Sequence, residues 1–143
     1  MSTSLLDVNI LLAIFDPEHI HHSRVKEWLD DELHHGWASC AITQNGFVRI
    51  ASQASYPGRR STRDAIDRLS EATSTAEHTY WECSISLLNE ALIDRSKVLG
   101  PNQVTDVYLL ALATSNGGRL VTMDRGVPVA AVPRATPDNL VTL

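Results

Sequence analysis

Three aspartates that are far apart in the sequence each stand beside an apolar segment and could together bind a hard metal ion. Asp7 directly follows Leu5 and Leu6, Asp106 stands near the start of VTDVYLLALA, and Asp124 follows RLVTM. A carboxylate that is buried without a partner costs several kcal/mol or takes up a proton. Asp7 therefore needs a partner, and the other two aspartates are candidates for the same site.

Three converging carboxylates require a cation or protons. At ~4 Å and an effective dielectric constant near 20, each like-charge pair repels by about 4 kcal/mol. Oxygen ligands without Cys or a well-placed His favour Mg²⁺, with Mn²⁺ as a substitute, and Mg²⁺ can activate water and orient a phosphodiester. Taken singly, Asp124 could be a turn residue before Gly126, and Asp106 could be a first-turn acid at a helix dipole. Only their combination points to a metal site.

The hydrophobic pattern predicts strands that alternate with helices. The predicted strands are LLD, WASCAI, HTYWE, RLVTMD and a weak final VPVAAVP. The first predicted helix is short and ends at Phe15. The others are SRVKEWLDDEL, QNGFVRIASQ with a break at Gly46, STRDAIDRLSEA, SISLLNEALIDRS and VTDVYLLALATSNGG. Such alternation indicates a parallel sheet with helices on both faces, and ligands bind such sheets at the carboxyl ends of the strands. Asp7 and Asp124 are expected at that edge, with Asp106 beside them if its helix packs as a crossover.

Length and charge limit the classes of protein that need consideration. A chain of 143 residues is expected to form a single domain, residues 1–143. The net charge of −5 argues against a protein that coats nucleic acid through bulk charge. No signal peptide or long apolar run is present, which predicts a cytoplasmic protein with no membrane association. Residues 49–68 nevertheless hold five arginines, which are either a solvated face or a phosphate-binding surface.

The motifs resemble one family over nearly the whole chain. LLDVNILLA, DPEHIHH, ITQNGFVRI, VTDVYLLALA and GGRLVTMDRG occur in the order and spacing of PIN-domain ribonucleases of the VapC toxin family. The resemblance implies a PIN-like three-layer α/β/α sandwich with a central, mainly parallel sheet. It also implies a Mg²⁺-dependent endoribonuclease, the toxin of a type II toxin–antitoxin system, that cleaves RNA, forms a homodimer and is inhibited by a VapB-type antitoxin.

The resemblance also assigns roles to individual residues. Asp7, Asp106 and Asp124 match the metal-binding aspartates, and the supporting polar residues are Asn9, Thr43, Thr105 and Thr122. Gln44 lines the predicted site at a position where the family usually has glutamate, which removes one negative charge and should lower metal affinity. As a hypothesis, RNA phosphates would bind to Arg49, Arg59, Arg60, Arg63 and Arg125.

Two alternatives remain open at the level of sequence. Gln44 could have weakened the site so far that the PIN fold binds RNA or a partner without cleaving RNA. A phosphatase of the haloacid-dehalogenase type also begins with an aspartate after an apolar strand, but that chemistry requires a second acid two residues later and a nearby lysine. Here the second position is Asn9, and the chain has only Lys26 and Lys97.

Overall fold

Five strands separated by helical segments, which include five α-helices, occur along residues 2–143, the part of the chain that the computed structural model describes. The strands are β1 (Ser4–Leu6), β2 (Trp37–Ser39), β3 (His78–Tyr80), β4 (Arg119–Thr122) and β5 (Leu140–Thr142). The helices are α1 (Val8–Phe15), α2 (His22–Glu32), α3 (Ala41–Ala51), α4 (Thr62–Thr73) and α5 (Val104–Ser115).

The strands form one sheet in the order β3-β2-β1-β4-β5, and each neighbouring pair is parallel. Successive strand residues point to opposite faces. Leu5 therefore packs with α5 residues such as Leu110 on one face, whereas Leu6 packs with Ile10 of α1 and Phe47 of α3 on the other. The two apolar clusters make three layers, which confirms the predicted α/β/α sandwich.

Local signals explain where the helices begin and end. Asp7 caps α1, and the Ser61 hydroxyl accepts a hydrogen bond from the Asp64 backbone at the start of α4 (3.0 Å). Gly117, at φ +70°, makes the turn from α5 into β4, a conformation that favours glycine. None of the helices within residues 2–143 is long and apolar enough to cross a membrane.

The helix predicted over SISLLNEALIDRS is wrong. Residues 84–94 are turns and irregular backbone, followed by a 3₁₀ helix at Arg95–Lys97. The Ser86 hydroxyl and the Asn89 and Asp94 side chains each accept a hydrogen bond from the backbone N–H two residues later. Such local bonds compete with helix formation, and the apolar period in this segment was misleading because Leu88 is 74% exposed.

The predicted final strand is also wrong. Part of VPVAAVP forms a 3₁₀ helix at Val129–Ala131, flanked by prolines that lack the N–H a strand must donate. The fifth strand is instead β5, nearer the C-terminus, where Val141 lies in register with Val121 of β4. The parallel sheet is therefore confirmed, but its last strand comes from a segment that was not predicted.

Helix α3 continues through Gly46 and is not broken there. The glycine serves close packing, because a Cβ at this position would lie 2.6 Å from Cγ2 of Val8 in α1. This close approach holds the first turn of α3 beside the segment that follows Asp7.

Candidate active site

The candidate site lies at the carboxyl edge of the sheet, where the strand order reverses. Strands β1 and β4 are neighbours, but β2 lies beyond β1 and β5 lies beyond β4. Open α/β sheets bind ligands at such a switch point. Asp7 follows β1, and Asp124 stands two residues after the end of β4. Because α5 ends at the turn into β4, its first turn with Asp106 lies at this same edge.

The buried carboxylate of Asp7 is satisfied at both oxygens. Oδ1 accepts a hydrogen bond from the Val8 backbone N–H at 2.8 Å, and Oδ2 accepts one from the Thr122 hydroxyl at 2.7 Å. The residue is only 7% exposed. These bonds explain how an apolar strand end can retain a carboxylate, and they fix the orientation of Asp7.

Thr122 connects the two strand ends through three hydrogen bonds. Its hydroxyl donates to Asp7 and accepts from the Asp124 backbone N–H at 3.0 Å and from Nδ2 of Asn9 at 3.3 Å. Oδ1 of Asn9 in turn accepts from the Met123 backbone at 3.3 Å. A hydroxyl has one proton and two lone pairs, so Thr122 uses its full capacity. The network joins the start of α1 to the loop after β4.

Burial and neighbouring negative charge raise the pKa of two carboxyl groups at this edge. Burial, a side-chain hydrogen bond with Asp124 and the nearby charges of Asp7 and Asp124 raise the pKa of Asp106 to about 7. Burial is also the main cause that raises the pKa of Asp7; the hydrogen bonds from Thr122 and Val8 oppose it. Three acidic groups thus share one small region, and Asp106 titrates near neutral pH, where an exposed aspartate is already ionised.

The donor set suits a hard cation. Within residues 2–143, no three or more His, Cys, Asp or Glu side chains form a ready-made ligand set. Mg²⁺ commonly binds through one or two carboxylates and keeps several waters, a requirement that Asp106 and Asp124 can meet. Burial raises the pKa of Asp106 most, and the negative charges of Asp7 and Asp124 raise it further; a divalent cation would relieve that repulsion. These residues therefore fit Mg²⁺, although the expected three-aspartate ligand set is not preformed.

The remaining predicted polar residues differ in their surroundings. Thr43 is buried in the first turn of α3, where its hydroxyl caps the helix against the Cys40 backbone at 3.0 and 3.2 Å. Thr105 is exposed beside Asp106. Gln44 is partly buried, and its Nε2 donates to the Ser39 hydroxyl at 2.9 Å. That hydroxyl also contacts His78, 2.8 Å away. Sequence reasoning missed both Ser39 and His78.

The predicted phosphate-binding arginines fall into two groups. Nη2 of Arg60 donates to the Phe15 carbonyl at 2.7 Å, about 10 Å along α1 from Val8, and Nε of Arg59 donates to the Ser52 carbonyl at 3.1 Å. These two side chains support the far end of α1 and the turn after α3. Arg49, Arg63 and Arg125 are exposed, and within residues 2–143 none of the three donates a hydrogen bond to a backbone carbonyl as Arg59 and Arg60 do. Arg125 stands next to Asp124, at the acidic edge.

Comparison with known proteins identifies the class. The PIN domain family matches residues 4–133, so the protein belongs to that family. This assignment selects the PIN interpretation over the haloacid-dehalogenase alternative. Ribonuclease VapC44 of Mycobacterium tuberculosis is 51% identical over 140 residues, which cover 98% of this chain and 99% of that protein. Ribonuclease VapC39 of the same organism is 41% identical over 130 residues, covering 90% and 94%.

Solved structures agree on the fold. VapBC2 from Rickettsia felis, bound to a DNA fragment from its promoter, matches 99% of this chain and 98% of its own with a TM-score of 0.65 and 14% identity. FitAB bound to the IR36 DNA fragment matches 99% and 94% with a TM-score of 0.61 and 15% identity. At these identities the similarity establishes the fold alone.

Proposed function

We propose that the protein is a metal-dependent endoribonuclease, the toxin of a type II toxin–antitoxin pair. The observation that carries the proposal is the convergence of Asp7, Asp106 and Asp124 at the switch point of a PIN fold. The relatives that are named ribonucleases VapC match nearly the full length of the chain, which supports the same activity here.

The three aspartates would hold Mg²⁺, for which Mn²⁺ can substitute. When bound, the ion neutralises developing charge on a phosphodiester and lowers the pKa of a coordinated water. Asp7 supplies a carboxylate whose orientation is fixed by Val8 and Thr122. Asp106 and Asp124 are more exposed than Asp7, so they can reach both the ion and the RNA.

RNA binding would rely on local positive charge, since the chain is acidic overall. Arg125 adjoins the aspartates, and Arg49 and Arg63 are exposed on the helices that follow β2. Their guanidinium groups would bind phosphates on either side of the cleaved bond.

An antitoxin of the VapB type is the expected partner, and a homodimer is the expected assembly. The solved neighbour named VapBC2 carries DNA from its promoter, as expected of a toxin–antitoxin pair. An uninhibited ribonuclease would damage cytoplasmic RNA, so a partner segment that covers the acidic edge would be required. We expect the protein to act in the cytoplasm, where its substrate is present.

The direct test is cleavage of end-labelled total cellular RNA by the purified protein with Mg²⁺ or with EDTA. We expect discrete cuts that require Mg²⁺ and that decrease at least 100-fold in Asp106→Asn, which corresponds to about 2.7 kcal/mol of transition-state stabilisation. Asp31→Asn is the matched control, because Asp31 is an exposed aspartate on α2, away from the site. It should cut like the parent protein.

Three other results would contradict the proposal in different ways. Cuts that persist in EDTA would exclude metal dependence. Cuts that persist in Asp106→Asn would exclude this site. If the parent protein does not cleave RNA but Gln44→Glu does, the site has the nuclease arrangement but is inactive because of Gln44, and the protein binds RNA or a partner. If neither protein cleaves RNA, the remaining interpretation is a PIN fold that only binds RNA or a partner.

A further inference from the structure

A chain of three polar side chains crosses from β3 through β2 to α3 beside the acidic edge. Gln44 Nε2 lies 2.9 Å from Ser39 Oγ, and Ser39 Oγ lies 2.8 Å from His78 Nε2. Ser39 is fully buried at the end of β2, so its hydroxyl has no access to water. The three groups must therefore satisfy one another.

The direction of each hydrogen bond follows from the placement of the Gln44 amide. Its Nε2 can only donate and is directed at Ser39 Oγ, so the Ser39 hydroxyl accepts from Gln44 and has its own proton available for His78. Burial lowers the pKa of His78 below its usual value, so the neutral ring carries one proton near pH 7. Because Nε2 accepts from Ser39, that proton is on Nδ1.

This order of donors leaves one atom of the Gln44 amide unused. Its NH₂ group is directed to Ser39, which leaves Oε1 as the free acceptor; within residues 2–143 no group donates a hydrogen bond to it. Gln44 lies in the first turn of α3, which begins directly after β2 at the carboxyl edge of the sheet. Strand β2 is the parallel neighbour of β1, with Ala38 in register with Leu5, so Ser39 and the amide bound to it lie beside the end of β1 that Asp7 follows.

We propose that Ser39 and His78 are positioning residues that hold the Gln44 carbonyl oxygen toward the aspartate cluster as a neutral oxygen ligand for the metal or its water. The inference rests on the proposed function for the identity of the ligand. It also changes the interpretation of Gln44. A glutamate here would require the single Ser39 proton, which His78 already uses, so the buried pair selects the amide.

The orientation can be tested without any enzyme activity. Two-bond ¹H–¹⁵N correlation spectra distinguish protonated from bare ring nitrogens, and we expect His78 to be bare at Nε2 in the parent protein. In Gln44→Glu, Ser39 must donate to the new carboxylate, so Nε2 of His78 should become protonated. His22, whose Nδ1 contacts the Ala13 carbonyl at 2.7 Å, is the internal control and should not change. An unchanged His78 signal in Gln44→Glu would overturn the proposed hydrogen-bond order.

The link to the metal site is tested by Mn²⁺ binding, measured by calorimetry or electron paramagnetic resonance. Ser39→Ala removes one oxygen atom, and we expect Mn²⁺ to bind about 10-fold more weakly, as is typical when a supporting hydrogen bond to a metal site is lost. His78→Leu should have a similar effect, whereas His78→Gln offers Ser39 an acceptor oxygen and should restore affinity. A purely structural pairing of β2 with β3 would leave Mn²⁺ affinity unchanged in folded Ser39→Ala, and that result would reject the positioning role.

The two proposals fail in distinguishable ways. Weaker Mn²⁺ binding in Ser39→Ala together with uncleaved RNA would retain the positioning role and remove the nuclease. Full Mg²⁺-dependent cleavage with unchanged Mn²⁺ affinity in Ser39→Ala would retain the nuclease and remove the positioning role.

Discussion

The two edges of the sheet differ in how their charged side chains are balanced. At the amino edge, Arg119 at the start of β4 donates through Nε to the Ser4 hydroxyl at 3.0 Å and approaches Glu32 at 3.5 Å. Its guanidinium also lies 5.4 Å from the ring centre of Trp28. At the carboxyl edge, Asp7, Asp106 and Asp124 are like charges, and one of them holds a proton near neutral pH. At the amino edge a cation faces a carboxylate, whereas the carboxyl edge requires a cation.

The difference indicates what each edge contributes. Opposite charges and an aromatic ring around Arg119 stabilise the fold of this chain by itself. The aspartates oppose folding in the absence of a ligand, and only the hydrogen bonds from Thr122 and Val8 keep Asp7 in place. Unfavourable charge held by a specific network is typical of a functional site.

The largest effect that separates the edges is expected at Thr122. Thr122→Val keeps the shape of the side chain but removes the hydroxyl that donates to Asp7 and accepts from Asn9 and Asp124. We expect RNA cleavage to fall by about 100-fold, the upper range for the loss of a group that orients metal ligands. Initial cleavage rates at saturating Mg²⁺ measure the effect.

Two variants control for general damage. Thr122→Ser keeps the hydroxyl and should retain most of the activity. Arg119→Met removes the charge at the opposite edge and should lower the free energy of unfolding by about 1–3 kcal/mol, because Glu32 and Ser4 lose their partner. Its cleavage rate should match that of the parent at temperatures where it is folded. Equal loss of cleavage in Thr122→Val and Arg119→Met would show that the edges do not differ in function.

A smaller effect is expected on stability as a function of pH. The pKa of Asp106 is raised from 3.8 to about 7 in the folded protein. The folded state therefore binds a proton that the unfolded state has lost, and the free energy of unfolding should fall as pH rises through this window. Asp106→Asn cannot lose a proton, so it should be more stable than the parent at pH 8, by about 1 kcal/mol for a partly exposed group.

Urea unfolding at pH 4 and pH 8, without divalent cations, measures this difference. The advantage of Asp106→Asn should be much smaller near pH 4, where the parent carboxyl is protonated in the folded state and about 40% protonated in the unfolded state, whose pKa is 3.8. Added Mg²⁺ should raise the stability of the parent at pH 8 but not that of Asp106→Asn. A parent protein that is as stable as the variant at pH 8 would show that the carboxyl edge carries no electrostatic penalty.

Sequence reasoning succeeded where a single segment carries its own signal. The buried segments that become β1 and β4, and the cap of α4 at Ser61, follow from hydrophobic period and local hydrogen bonding. Asp7 and Asp124 were placed at one edge because parallel strands share a direction. Asp106 was expected at the same edge on the condition that its helix packs as a crossover, and α5 does lead directly into β4.

The features that sequence reasoning missed depend on contacts between distant segments. Nothing beside Ser39 or His78 in the sequence indicates that β2 and β3 bring them together, 39 positions apart. The spacing of the apolar residues in 84–93 resembles that of a helix, but hydrogen bonds from backbone N–H groups to nearby side chains stabilise turns there instead. Strand β5 is as short as β1, but its residues are partly buried or exposed, so it lacks the fully buried apolar pattern by which β1 was predicted.

The smallest expected effect distinguishes arginines that bind RNA from arginines that support the fold. Arg63 and Arg125 are exposed, whereas Arg60 is bound to the Phe15 carbonyl and to Asp64 at 3.1 Å. If Arg63 and Arg125 bind phosphates, changing both to Gln should weaken RNA binding several-fold and reduce the slope of log affinity against log salt by about 0.7 for each phosphate that is no longer neutralised. Fluorescence anisotropy with single-stranded RNA, in an Asp106→Asn background that does not cleave, gives this slope.

Arg60→Gln is the matched comparison, since it removes the same charge from a side chain that the fold already uses. We expect it to lower stability, because the carbonyl end of α1 loses a charged donor, and to leave the salt slope unchanged. If Arg60→Gln lowers the salt slope while the double variant does not, RNA phosphates bind near the far end of α1 and not near Arg125. If neither changes the slope, the acidic edge itself, through its metal, holds the RNA without help from these arginines.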